Sequence, residues 1–303
     1  MKGLNTLMNK KRIFKGIATA IITPFKNNDV DYDSFGKILE MQINEGINAL
    51  VVCGTTGEAA TLSDKEHKEV MKYAVEKVNG RVPVILGTGS NDTEYSISLS
   101  KYACDLGADG LLCVTPYYNK TTQKGLVKHF LSIADSVDKP ILLYNVPSRT
   151  GMNIEPETYL KLSEHENIVG FKEANGNISK VSTTMSLVKG KLDLYSGNDD
   201  QIVPLLAMGG VGCISVVSNI LPKMTCEITN KFFEGKIEES LDLQLKLIPV
   251  INALFCETNP IPAKAAMAAL GYCEKELRLP LDWMEEKNEA KLLTCMRELG
   301  LNV

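Results

Sequence analysis

The sequence contains eight short apolar runs, each rich in β-branched residues and each followed by a stretch with helical periodicity. They recur at spacings of about 20 to 35 residues, the length of one strand–helix unit. Most are continuously apolar, a pattern typical of parallel strands that are covered on both faces. The predicted strands are 16–23, 49–53, 82–87, 110–114, 140–145, 168–172, 192–196 and 212–217.

Amphipathic stretches between these runs predict helices. The second begins after Ser63, with Glu66 three positions later, the pattern of a capping box. Together the strands and helices favour the α/β class and a (β/α)8 TIM barrel. A doubly wound sheet is the alternative, but it usually carries a glycine-rich turn where this chain reads TPFKNN. The predicted helices are 32–44, 64–78, 93–106, 122–136, 155–163, 179–188 and 200–208.

The strand pattern stops after residue 220, and the rest of the chain is predicted to be helical. We therefore divide the sequence into an N-terminal lead-in (1–13), a catalytic barrel (14–221) and a C-terminal helical region (222–303). A basic cluster, with Lys10 and Arg12 among its members, is expected to be solvated. The predicted C-terminal helices are 222–234, 236–255, 262–270 and 284–299.

The composition excludes several classes of partner. The chain has 33 Lys and Arg residues against 37 Asp and Glu, which gives a net charge of −4. A negative net charge does not attract a polyanion such as nucleic acid. No window approaches the roughly 20 apolar residues of a membrane span, and residues 1–15 lack the apolar run of a signal peptide. We expect a soluble, cytoplasmic protein without nucleic-acid or membrane partners. The 8 cysteines and 3 histidines lack zinc-site spacing, so we predict no metal.

Lys172 is the most informative candidate for chemistry. It ends the sixth apolar run, and active sites of such barrels lie where the strands end. Burial there favours the neutral amine, which can attack a ketone to form a Schiff base. Alternatively, the lysine could reach out into solvent or be neutralised by the adjacent Glu173.

Tyr144 lies at the carboxyl end of the preceding run, on a strand expected to lie about 4.8 Å away. A phenol there could move protons during imine formation, although a buried tyrosine of the core is the ordinary alternative. The turn Gly54-Thr55-Thr56-Gly57 offers hydroxyls and backbone amides that could bind a carboxylate. It could equally be a plain connection with glycines for geometry.

Six motifs together closely resemble the dihydrodipicolinate synthase family, from about residue 14 to the C-terminal helices. The resemblance implies condensation of pyruvate with L-aspartate 4-semialdehyde to 4-hydroxy-tetrahydrodipicolinate, in diaminopimelate and lysine biosynthesis. It implies a lyase that uses no metal or organic cofactor and forms a homo-oligomer, a tetramer built as a dimer of dimers. The motifs are GTTGEAATL (54–62), VTPYYN (114–119), LLYNVPSRTG (142–151), GFKEANGN (170–177), SGNDD (196–200) and ETNPIPAK (257–264).

The resemblance also implies roles for individual residues. Lys172 would form the Schiff base with pyruvate, and Tyr144 would donate and accept protons. Thr55 would link Tyr144 to Tyr118, a tyrosine that the family inserts into the active site of a neighbouring subunit. Taken alone, Tyr118 could instead pack within its own subunit.

Substrate-binding roles follow in the same way. Thr56 and the backbone at Ile214 match the pyruvate pocket, and Gly197 after the seventh strand is a further candidate. Arg149 matches the arginine that receives the carboxylate of aspartate semialdehyde, for which a planar guanidinium is suited. Taken alone, Arg149 could be a solvated turn residue.

Many members of the family are inhibited by lysine at a subunit interface, and several matching positions differ here. Tyr95 stands where an acidic residue would hold the amine of the effector, and Ala59 and Ala60 follow GTTGE. Asn91, His67 and Tyr117 are retained. We therefore expect weak or absent inhibition by lysine.

Three other functions are alternatives for a barrel of this kind. Sister aldolases, such as N-acetylneuraminate lyase or keto-deoxy-sugar-acid aldolases, share the lysine and tyrosine but are not expected to carry TPYYN and PSRTG together. A non-catalytic sensor on a decayed barrel would have lost the lysine or the tyrosine. A phosphate-binding isomerase is disfavoured because SGNDD carries two aspartates where phosphate needs bare amides.

Overall fold

A computed structural model describes residues 10–303 of the chain. Eight parallel strands form a closed barrel in chain order, which confirms the predicted TIM barrel. Every predicted strand is present, and one of them extends a residue beyond its predicted end. The strands are β1 (Gly16–Ala20), β2 (Ala49–Val52), β3 (Val84–Gly87), β4 (Gly110–Val114), β5 (Ile141–Asn145), β6 (Ile168–Glu173), β7 (Asp193–Ser196) and β8 (Gly212–Ser215).

Within residues 10–303, eight helices of six or more residues surround the barrel. Ser63 and Glu66 form the predicted capping box, in which each side chain accepts from the other residue's backbone N–H. The elements that were not predicted include a hairpin of Phe25–Lys26 with Asp29–Val30 and a short helix at Pro147–Thr150. The helices are α1 (Tyr32–Asn44), α2 (Asp64–Val78), α3 (Thr93–Asp105), α4 (Gln123–Ala134), α5 (Pro156–Leu162), α6 (Ile178–Val188), α7 (Ile202–Ala207) and α8 (Pro222–Phe233).

Three more helices follow, α9 (Ile237–Leu254), α10 (Ile261–Ala269) and α11 (Glu286–Glu298). Helix α8 contacts both β1 and α9, so it joins the barrel to this C-terminal region. The predicted division after residue 221 stays a prediction. No helix within residues 10–303 is long and apolar enough to cross a membrane.

The basic cluster near the N-terminus is solvated only in part, because Lys11, Arg12 and Lys15 are exposed whereas Lys10 is half-buried. Lys10 Nζ donates to three main-chain carbonyls, at Ser163, His165 and Ile168, over 2.6 to 2.8 Å. Arg12 makes a bidentate ion pair with a carboxylate at the start of β7. These bonds hold the chain against the amino-terminal end of the barrel. The preceding residues of the lead-in, 1–9, lie outside the described part.

The apolar residues form two cores. One lies inside the barrel and includes Ala18, Tyr144, Tyr195 and Ile214. The other lies between the strands and the surrounding helices and includes Phe171. Because side chains alternate along a strand, each strand contributes to both cores. This alternation decides which polar side chains face the interior of the barrel.

Candidate active site

Lys172 and Tyr144 form the centre of the candidate site. They are direct partners in the register of β5 and β6, near the carboxyl ends of both strands. Both are buried, with exposures of 5% and 6%. The Nζ atom of Lys172 lies 4.4 Å from the centre of the Tyr144 ring. The amine predicted at the barrel mouth is therefore enclosed and in contact with a phenol.

Glu173 does not neutralise Lys172. The neighbouring Phe171 packs on Tyr159 of α5, with ring centres 4.5 Å apart, which places the Phe171 side chain outside the barrel. The Glu173 carboxylate accepts hydrogen bonds from the Tyr159 hydroxyl at 3.0 Å and the Asn145 amide at 2.9 Å. Since adjacent side chains point to opposite faces, Lys172 faces inward.

Burial raises the pKa of Glu173 to about 7, although hydrogen bonds from Tyr159 and Asn145 oppose the shift. The neutral form is therefore favoured more than in water. The Glu173 carboxyl group links β6 to α5 through its hydrogen bond with Tyr159. It lies outside the barrel, on the opposite face of β6 from Lys172.

The turn after β2 leaves two amides available. The N–H groups of Gly57 and Glu58 donate to the carbonyls of Gly54 and Thr55, both at 3.1 Å. Among the described residues, no hydrogen bond uses the N–H of Thr55 or Thr56. Successive free amides are a recurring cradle for anions, so this turn can bind a carboxylate.

A buried ion pair between Glu58 and Lys264 anchors this turn. Glu58 has φ 52°, a left-handed conformation that is strained for a residue with a side chain. Its carboxylate lies 2.8 Å from Nζ of Lys264, and both side chains are fully buried. Burial lowers the pKa of Lys264, and the contact with Glu58 opposes that shift. Lys264, which belongs to the ETNPIPAK motif, therefore holds the turn in place through this ion pair.

A cavity of about 410 Å³ opens beside Tyr144 and the turn after β2, and Lys172 is not among the residues that line it. It brings together Thr55, Tyr144 and Arg149, three of the residues selected from the sequence. Tyr117 also lines it, but Tyr118 does not. The side chain of Tyr118 is 93% exposed, at a left-handed φ of 67°, so it points away from the site of its own chain.

The other predicted binding residues lie around the same centre. Ile214 is fully buried inside the barrel on β8. A Cβ atom at Gly197 would lie 3.1 Å from Cε of Lys172 and 2.8 Å from Cβ of Ala174, so only glycine leaves the lysine stem undisturbed. Thr56 is buried, and Arg149 is exposed at the rim.

Two polar residues near the site received no role from the sequence. Asp199 is buried and accepts from the N–H groups of Val216 and Val217 at 2.9 Å, which fixes the loop after β8. Burial raises the pKa of Asp199, and the charge of Lys172 opposes that shift. Asn259 contacts both Thr56 and Arg149. Asn259 belongs to the ETNPIPAK motif, but no local sequence pattern predicts that it lies close to Thr56 or Arg149.

Within residues 10–303, no three His, Cys, Asp or Glu side chains are grouped as metal ligands. The fold and the lysine–tyrosine pair are those of a (β/α)8-barrel lyase. The chain belongs to the dihydrodipicolinate synthetase family, whose model matches residues 13–299.

Three relatives illustrate the similarity. The 4-hydroxy-tetrahydrodipicolinate synthase of Acetivibrio thermocellus is 55% identical over 292 residues, which covers 96% of this chain and 99% of that protein. A solved dihydrodipicolinate synthase is 49% identical with a TM-score of 0.93, covering 95% of this chain and 100% of the other. The enzyme from Thermotoga maritima is 45% identical with a TM-score of 0.94, covering 96% and 100%. This similarity favours the synthase over its sister aldolases.

Proposed function

We propose that this protein condenses pyruvate with L-aspartate 4-semialdehyde to 4-hydroxy-tetrahydrodipicolinate through a Schiff base on Lys172. The observation that carries the proposal is the buried amine of Lys172, 4.4 Å from the centre of the Tyr144 ring inside the barrel. Full-length similarity to synthases of that name supports the choice of substrates.

The chemistry uses an iminium as the electron sink. The Lys172 amine attacks C2 of pyruvate, and Tyr144 gives a proton to the oxygen that leaves as water. Loss of a proton from C3 yields an enamine, which attacks the aldehyde of the second substrate. The amine of that substrate then attacks the imine carbon, closes the ring and releases Lys172. No step calls on a metal or an organic cofactor, and that expectation stays a prediction.

Binding groups surround this centre. Thr56, the free amides of the turn and the backbone at Ile214 hold the pyruvate carboxylate, while Arg149 receives the carboxylate of the second substrate. Gly197 provides the space that the lysine stem needs. These assignments agree with the burial of the pyruvate side of the site and with the exposure of Arg149 at its entrance.

Tyr118 supports the proposal of an oligomer. Thr55 relays protons between Tyr144 and a tyrosine, but the side chain of Tyr118 is 93% exposed in its own chain. We propose that it enters the site of a neighbouring subunit, in a tight dimer that pairs into a homotetramer. A biosynthetic enzyme of this kind would act in the cytoplasm.

The substrate choice is tested by parallel assays of the purified protein. We expect turnover of pyruvate with aspartate semialdehyde and no cleavage of sialic acid. Borohydride trapping with pyruvate would not separate these activities, because all of the rival aldolases form the same imine. Efficient sialic acid cleavage without synthase activity would contradict the proposal.

We expect lysine to inhibit the enzyme weakly or not at all. Tyr95 replaces the carboxylate that would hold a cationic effector, and its hydroxyl donates to Asp64 at 3.1 Å. Asp64 is already paired with Lys68 at 2.8 Å, and this bond lowers the pKa of Asp64. Tyr95 therefore offers no anion to an ammonium group, and the charge of Asp64 is already paired with Lys68.

The measurement is an inhibition curve with L-lysine for the wild type, Tyr95→Glu and the uncharged control Tyr95→Gln. Increased sensitivity in Tyr95→Glu alone would support the charge argument. Steep inhibition of the wild type at submillimolar lysine would refute it.

A further inference from the structure

We infer that Asn259 is a positioning residue that orients the Thr56 hydroxyl toward the pyruvate carboxylate. The main chain of Asn259 also holds Arg149. One residue therefore sets the distance between the two carboxylate-binding groups, Thr56 and Arg149. The inference rests on the proposed function and adds a residue to it from outside the barrel strands.

The contacts of Asn259 are specific. The residue lies between α9 and α10 and is 6% exposed. Its Nδ2 donates to Oγ1 of Thr56 at 3.0 Å, across 203 residues of sequence. Its main-chain oxygen accepts from Nη2 of Arg149 at 2.9 Å. The remaining amide atom, Oδ1, is buried and has no hydrogen-bond partner among the described residues.

The direction of the bond to Thr56 decides its effect. A hydroxyl has one proton to donate and can accept through its oxygen. Because Asn259 Nδ2 is a donor, Thr56 Oγ1 accepts, and its own proton remains free for another acceptor. No hydrogen bond within the described residues uses that proton. A carboxylate is the acceptor that the proposed chemistry places beside Thr56, and hydrogen bonds to charged groups are stronger than neutral ones.

The second contact suits the shape of the product. In 4-hydroxy-tetrahydrodipicolinate the ring nitrogen joins the two carbons that carry the carboxylates. The groups that bind these carboxylates must therefore be held at a set separation while the nitrogen attacks. Asn259 touches both, through its side chain on the pyruvate side and through its backbone on the Arg149 side.

A double-mutant cycle with Thr56 separates this role from a structural one. The readout is the pyruvate concentration that half-saturates borohydride trapping, measured without the second substrate. We expect Asn259→Ala to raise it about tenfold or more. In the Thr56→Val background the same change should raise this half-saturating concentration by no more than about twofold, because the hydroxyl that Asn259 orients is gone. The exposed Asn252, on α9, provides the control Asn252→Ala, which should change nothing.

Asn259→Asp keeps the shape of the side chain, so it tests the inference even if the alanine variant is unstable. Its carboxylate would accept the Thr56 proton and repel the substrate, so pyruvate half-saturation should rise more than in the alanine variant. The main-chain bond to Arg149 persists, and the KM for aspartate semialdehyde should stay within about twofold.

The outcomes distinguish the two proposals. Equal effects of Asn259→Ala with and without Thr56→Val, or no effect of Asn259→Asp on pyruvate, would overturn the role of Asn259. Absence of any pyruvate adduct in the wild-type protein would instead overturn the proposed function, and the inference with it.

Discussion

Lys172→Arg is expected to abolish turnover, with kcat falling by on the order of 10⁴- to 10⁶-fold, as when other enzymes lose a nucleophile. Arginine keeps the positive charge and much of the length of the side chain. Its guanidinium stays protonated in proteins and cannot act as the attacking amine. Imine formation should therefore stop while the fold is retained.

The measurement is mass spectrometry after borohydride treatment with pyruvate, with the adduct assigned to a peptide, alongside the kinetic assay. The wild type should carry the adduct on Lys172, and the variant should carry none. Lys189→Arg is a matched control because Lys189 is exposed and outside the site. An adduct on another lysine of the wild type, such as the buried Lys264, would contradict the site assignment.

Tyr144→Phe is expected to lower kcat by about 10²- to 10⁴-fold, the range for loss of a general acid–base. The substitution keeps the ring beside Lys172 and removes only the hydroxyl. The amine therefore remains enclosed, but the proton needed for loss of water has no positioned donor. A pyruvate adduct should still form, at a reduced rate.

Tyr195→Phe provides the control, because Tyr195 lies on β7, the other strand that neighbours Lys172. Tyr195 is the partner of Lys172 in the register of β7, and its side chain is fully buried inside the barrel. Its hydroxyl, however, donates to the carbonyl of Phe14 at 2.7 Å. We expect this variant to lose thermal stability and keep most of its kcat. Comparable loss of kcat in both variants would contradict a specific proton role for Tyr144.

The barrel could be predicted from the sequence because its strands and helices are encoded by local patterns. Continuous apolar runs and helical periodicity recur once per strand–helix unit, and each unit is set by neighbouring residues. Lys172 and Tyr144 could be paired in advance because both lie near the carboxyl ends of consecutive parallel strands, which the closed barrel places side by side. Their roles came from family resemblance and stay predictions.

Tertiary structure alone decided the surroundings of that pair. Periodicity left open whether Glu173 neutralises Lys172, and the inward or outward direction of each β6 side chain followed only from packing on α5. The bond between Asn259 and Thr56 joins residues 203 positions apart, and no local pattern encodes such a contact.

The sequence by itself therefore determined the class of fold and the place of Lys172 near the carboxyl end of a strand, because strand–helix alternation follows from short-range patterning. What only the folded chain decided is how the C-terminal region reaches back to the barrel mouth, where Lys264 braces Glu58 and Asn259 meets Thr56. Those contacts depend on the packing of distant segments, and their hydrogen-bond directions depend on the geometry reached after folding.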